Sequence, residues 1–298
     1  MSRLHLVSAV LLIVAFLPQK YEGCEHCYTT KEFAAHASVP GKPYNENFGI
    51  VATIDVYGHN IRHGQMSASS IMVVNLGDGS KETYNSIHVG WMVSPELYGD
   101  SYAHGDGYGR KGCYNMECPG FQLEQGSKVA PGAITAKAPT TGRSHHTITV
   151  KLFKALSKMR QKGQTAPPFL VKKNTVSTLK SERGQVKIGG CTTAWNNTLT
   201  AVGYYPGNLF SGLAEKASGI AFGGESRARR SLPTPPMGSG FLPSPSAASM
   251  ANLQFVDQDG QSIPISSDLP VIADKPKCYY VSPIVGAKFF FGGPAGCF

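Results

Sequence analysis

From Ile50 the chain alternates with a period of two: Ile50, Ala52, Ile54 and Val56 stand against Val51, Thr53, Asp55 and Tyr57. Successive side chains of a strand point to opposite faces, so this run predicts a strand with one face turned inward. The apolar run 71–74 predicts a second strand, stopped by Asn75-Leu76-Gly77-Asp78-Gly79, residue types that favour a tight turn. Ile87, Val89, Trp91 and Val93 then share one face of a third strand, with His88, Gly90 and Met92 on the other. Further strands are predicted over 147–152, 199–205, 219–225, 252–256, 277–281 and 287–292, and helix only over 209–217 and 152–162. Gly105-Asp106-Gly107-Tyr108-Gly109 reads as a turn, and the Pro-, Ser- and Gly-rich stretch 231–249 as an exposed loop. Many short strands with almost no helix predict an all-β fold, an antiparallel β-sandwich of two sheets with few short helices.

Composition narrows the class. With 41% hydrophobic residues the chain is too apolar to be disordered, and 34 Gly with 20 Pro argue against a helical bundle. The formal net charge of +9 resides entirely between Lys151 and Gly190, where basic residues crowd around a single acid, Glu182. A nucleic-acid face interleaves its cations with aromatic rings, whereas this stretch has only Phe169 beyond Phe153. It reads as a solvated insertion around 155–192, and no nucleic-acid partner is expected.

Arg3 and His5 precede an apolar run from Leu6 to Leu17, followed by Pro18-Gln19-Lys20. That pattern predicts a secretory signal peptide over 1–23 and a secreted protein over 24–298, with no membrane attachment after cleavage. In an oxidising compartment the seven cysteines read first as disulfides. Cys113–Cys118 and Cys278–Cys297 are the preferred local pairs, and the pairing of Cys24, Cys27 and Cys191 stays open. Cys24-Glu25-His26-Cys27 lacks a second ligand pair at zinc spacing, so no metal is expected there. His59, His63, His145 and His146 read as surface histidines, and Asn196-Asn197-Thr198 marks Asn196 as a glycosylation acceptor.

Common catalytic signatures are missing: there is no Gly-x-Ser-x-Gly, no His-Glu-x-x-His and no phosphate-cradling loop. The chain does carry an ordered set of long strings. They are Gly90-Trp91-Met92-Val93-Ser94-Pro95-Glu96-Leu97-Tyr98-Gly99-Asp100, Gly112-Cys113-Tyr114-Asn115-Met116-Glu117-Cys118-Pro119-Gly120-Phe121, Val202-Gly203-Tyr204-Tyr205-Pro206 with Leu209-Phe210, Phe222-Gly223-Gly224-Glu225, Pro236-Met237-Gly238-Ser239-Gly240 and Phe291-Gly292-Gly293-Pro294. In this order they closely resemble the plant neprosin family of secreted prolyl endopeptidases of the glutamic type. The resemblance runs from about Phe33 to the C-terminus, broken at the basic insertion.

The resemblance implies a two-sheet sandwich whose cleft carries two glutamates, one taking a proton from water and the other giving one to the leaving amide. One of them maps onto Glu225. The other lies two residues before the Gly-Trp pair, where this chain has His88. Trp91 and Tyr114 are expected to pack around the cleft. The implied activity is hydrolysis of peptide bonds after proline, by a monomer without cofactor or metal, in the apoplast or cell wall. A His at the second position makes lost or reduced activity the preferred expectation. An imidazolium opposite Glu225 could still supply a proton. The alternative is an impaired module that binds Pro-rich wall protein or glycan. A further departure from the family pattern is the shortened 101–105 stretch.

Overall fold

A computed structural model describes residues 28–38, 48–80, 83–98, 103–109, 113–114, 121–127, 129–136, 146–154, 188–189 and 201–296. The leader, Cys24, Cys27, Cys118, Cys191, Cys297, Asn196 and most of the basic insertion lie outside these residues.

The alternating sequence forms two antiparallel sheets. The first contains β1 (Tyr28–Ala37), β3 (Gln65–Asn75), β4 (Asn85–Val93), β5 (Ala103–Gly109), β6 (Cys113–Tyr114), β8 (Ile134–Ala136), β12 (Gly219–Arg229) and β16 (Val271–Ala273). Its order is β16-β1-β12-β3-β4-β5-β6, with β8 also on β5. The second contains β2 (Gly49–Val56), β7 (Gln122–Leu123), β9 (His146–Phe153), β10 (Ile188–Gly189), β11 (Ala201–Tyr204), β13 (Met237–Gly238), β14 (Ala248–Val256), β15 (Ser262–Pro264), β17 (Tyr280–Val281) and β18 (Phe289–Gly293). There the order is β13-β18-β14-β2-β9-β10-β11-β7, with β15 on β14 and β17 on β18. Among the described residues there is one short α-helix, α1 (Pro95–Tyr98), and no helix long and apolar enough to cross a membrane.

The core lies between the sheets. Ile71, Ile87, Trp91, Val93 and Phe222 of the first sheet meet Ile50, Ile54, Leu152, Met250, Phe289 and Phe291 of the second, all buried. Trp91 is wholly enclosed, and its Nε1–H donates across the sandwich to the Asp55 carbonyl at 2.8 Å. Asp55 Oδ2 in turn accepts from the Ser249 amide and hydroxyl at 2.8 and 2.9 Å. The indole therefore belongs to the interior, not to the cleft. Period two sends it to the face opposite His88.

Several expectations are corrected. The Gly-rich 105–109 stretch is no turn: it is the body of β5, paired along β4. The helix expected over 209–217 is two 3-10 turns at Gly207–Leu209 and Gly212–Ala214. The expected helix from 152 loses its start to β9, and its remainder lies outside the described residues. His59 is buried, its Nε2–H donating to the Gly238 carbonyl at 2.8 Å. Lys154 of the basic segment is packed too, donating to the Glu215 carbonyl at 2.6 Å beneath Phe48.

The Pro-rich stretch is an exposed loop only in its second half, where Phe241 and Leu242 stand in solvent. Its first half is strapped into the sandwich by side-chain donors. Gln65 Nε2 donates to the Pro233 carbonyl, Tyr279 Oη and Ser226 Oγ to that of Pro235, and Ser67 Oγ to that of Pro236. Proline lacks an amide hydrogen, so such a segment is held through its carbonyls.

Candidate active site

The outer face of the first sheet carries the cleft. Phe33, Ala35 and Ala37 of β1, Ser70 and Met72 of β3, His88 of β4, Ala221, Gly223 and Glu225 of β12, and Ile272 of β16 line a space of about 610 Å³, open mouth included. The alternation that turns Ile87, Trp91 and Phe222 inward turns these residues outward. The floor is made of small side chains, so the sheet surface dips between the larger residues at its margins. β16 is fixed beside it through His36 of β1, buried between the sheets. The ring nitrogens of His36 lie 2.9 and 2.8 Å from the Leu269 and Ser282 carbonyls.

Both sequence-derived catalytic positions face this cleft. His88 is paired with Met72, and Glu225 with Ala68 on the same strand β3. They are thus two strands apart and four residues out of register, about 10 Å sideways and about 13 Å along the strands at the backbone.

The glycines before Glu225 have separate packing reasons. A Cβ on Gly223 would run into the Ala34 carbonyl and Ala35 of β1. One on Gly224, on the inner face, would meet the Met237 side chain at 2.7 Å. The Gly-Gly-Glu string and the Met of the Met-Gly-Ser-Gly string are therefore parts of one packing unit behind the cleft.

Electrostatics separate the two positions. Glu225 is ion-paired with Arg227, whose side chain is 5% exposed. The two residues are two apart on one strand and share its outer face. His88 is half-buried and its pKa falls to about 4: burial is the main cause, Glu225 pulls it upward, and Arg227 pushes it down. An imidazolium–carboxylate pair at these positions is thus not what forms. Glu225 has an arginine partner, and His88 is neutral through the mildly acid and neutral range. A neutral imidazole can accept a proton but is no acid for a leaving amide.

Another carboxylate, unread in the sequence, lies on the same row of the sheet. Asp274, just beyond β16, accepts the Phe33 amide at 3.0 Å, and Phe33 is paired with Glu225. Burial raises the Asp274 pKa, the Phe33 hydrogen bond opposes this, and the charges of Glu32 and Glu225 add to the rise.

The remaining expected sites are only partly in view. Cys278 is disulfide-bonded, while Cys297 and Cys118 lie outside the described residues. For Cys113 and Tyr114, in β6, the backbone alone is described. Asn196 is outside as well. No group of three or more His, Cys, Asp or Glu side chains with metal-binding geometry occurs among the described residues.

The family model described as Neprosin matches residues 63–294, a span that takes in β3, β4, β12 and both His88 and Glu225. With well over half of its length inside that match, the chain belongs to the Neprosin family.

Proposed function

We propose that this chain is a secreted peptide-binding member of the Neprosin family, holding a Pro-containing segment in the outer-face cleft without cleaving it by the two-carboxylate route. The observation that carries this reading is His88, a half-buried neutral imidazole where the family resemblance implies a glutamate. Two-carboxylate hydrolysis needs one carboxyl protonated and one charged at the same pH. Here one position has no carboxyl, and the other carboxylate is tied to Arg227. The cleft itself stays suited to ligand. Its lining is mainly apolar, and a preformed polyproline chain loses little entropy on binding.

Prolyl endopeptidase activity is the second reading, and Asp274 favours it. A carboxyl raised by burial, on the same sheet row as Glu225, is chemically able to give a proton.

A fluorescence-anisotropy titration with a labelled Pro-rich peptide tests the binding reading. Saturable binding is expected, weakened at least about tenfold by Met72→Arg, which fills the cleft with a long charged side chain. Absence of saturation with folded protein, or binding indifferent to Met72→Arg, would count against it.

A further inference from the structure

Ser70 stands on β3 between the positions of His88 and Glu225. Directly opposite it are Gly90 on β4 and Gly223 on β12, so neither neighbouring strand places a side chain over its hydroxyl. These glycines are fixed by close backbone approach: a Cβ on Gly90 would run into the Ser69 carbonyl and lie 2.6 Å from Ser70 Cα. Ser70 is half-buried, lines the cleft, and its hydroxyl has no hydrogen-bond partner among the described residues. Ser67 and Ser226 nearby are otherwise engaged, donating to carbonyls of the Pro-rich strap.

His88 is two residues from Gly90 on the same face, which makes it the diagonal neighbour of Ser70 across β3 and β4. Diagonal positions are about 7–8 Å apart at the backbone, within reach of a long side chain. Glu225 occupies the corresponding diagonal on β12. Ser70, His88 and Glu225 thus line one cleft, with the serine between the other two in register and not hydrogen-bonded to either.

We propose that Ser70 is a nucleophile served by His88 as its base, and that the cleft accepts acyl groups from small apolar esters. Ser70 Oγ bonds to the ester carbonyl carbon while its proton passes to the His88 imidazole. The carbon–oxygen bond to the leaving alcohol then breaks, and the imidazolium returns the proton to that alcohol. Water hydrolyses the Ser70 ester by the same route, regenerating both side chains. Glu225 favours the transient imidazolium and Arg227 opposes it. The apolar wall of Ala35, Ala37, Met72 and Ile272 suits short aliphatic or aryl acyl groups. The assignment gives the peptide-binding cleft a chemistry that does not depend on the peptide.

A fluorophosphonate probe, followed by peptide mapping and by p-nitrophenyl acetate hydrolysis, tests this. An activated serine displaces fluoride and forms an Oγ–phosphorus bond. The expected result is an adduct at Ser70, absent in Ser70→Ala and reduced at least tenfold in His88→Gln. The exposed-loop control Ser246→Ala should label like the parent. Because the imidazole is already in its base form, the labelling rate should stay flat from pH 7 down to about 5 and fall only nearer pH 4. No adduct at Ser70 in folded protein, or one undiminished in His88→Gln, would overturn the proposal. Binding of the Pro-rich peptide, measured on the same samples, separates the two ideas: binding without an adduct defeats only the nucleophile, and an adduct without binding defeats only the peptide.

Discussion

Trp91→Ala is expected to remove about 3–5 kcal/mol of stability, a large fraction of the roughly 5–15 kcal/mol that native domains ordinarily have. The indole is wholly buried among inter-sheet residues, and its loss opens a cavity that a closely packed sandwich cannot refill. It also leaves the Asp55 carbonyl without its donor in the interior. Trp91→Phe keeps most of the volume and loses the hydrogen bond, so it should cost about 1–3 kcal/mol. Urea unfolding midpoints measure both, since the slope reports surface exposed and the midpoint reports stability. The consequence reaches the cleft, because His88 is on the same strand three residues earlier and depends on that strand being clamped. A loss below about 1 kcal/mol for Trp91→Ala would contradict this description of the core.

Acidification should weaken the fold by a comparable amount. His59 and His88 both have pKa values lowered to about 4, in each case chiefly by burial; the Gly238 hydrogen bond opposes the fall at His59. Their unfolded counterparts titrate near pH 6.5, so between about 6.5 and 4 the unfolded chain binds more protons than the folded one. The histidine contribution is therefore full above pH 6.5, falls as pH drops through that window, and flattens below about 4. Each histidine accounts for about 3 kcal/mol over the whole window. Denaturant midpoints at pH 7, 5.5 and 4 should decline steadily, and His88→Gln should remove about half of the decline. A midpoint constant from pH 7 to 4 would show that these imidazoles are not held neutral.

Much of this architecture is legible in the sequence because period two survives wherever one face of a strand is buried. The split in β4 between Ile87, Val89, Trp91 and Val93 on one side and His88, Gly90 and Met92 on the other is the observed split between the inter-sheet core and the outer face, where His88 lines the cleft and Met92 packs with Met66 and Ala68. The same rule, applied once more, places Arg227 beside Glu225 and turns Trp91 away from the cleft; both follow from spacing alone. The Gly-rich β5 was illegible for a different reason. Glycine ordinarily signals a turn, and only the pairing with β4 makes that segment a strand. His59 reads as a surface residue until Gly238, far along the chain, supplies its acceptor. Asp274 and the Ser70–His88 diagonal depend on strand order and register, which tie together residues distant in the chain and leave no local pattern.

If the cleft persists while the two-carboxylate chemistry does not, hydrolysis of a fluorogenic Pro-containing peptide reveals it. The peptide is offered from pH 3 to 7 to the parent protein, His88→Glu and Glu225→Gln, with folding checked at each pH. No cleavage after proline is expected from the parent and measurable cleavage from His88→Glu, at least about tenfold above background, as one carboxylate restores the missing acid–base partner. Cleavage by the parent that Glu225→Gln abolishes would contradict it.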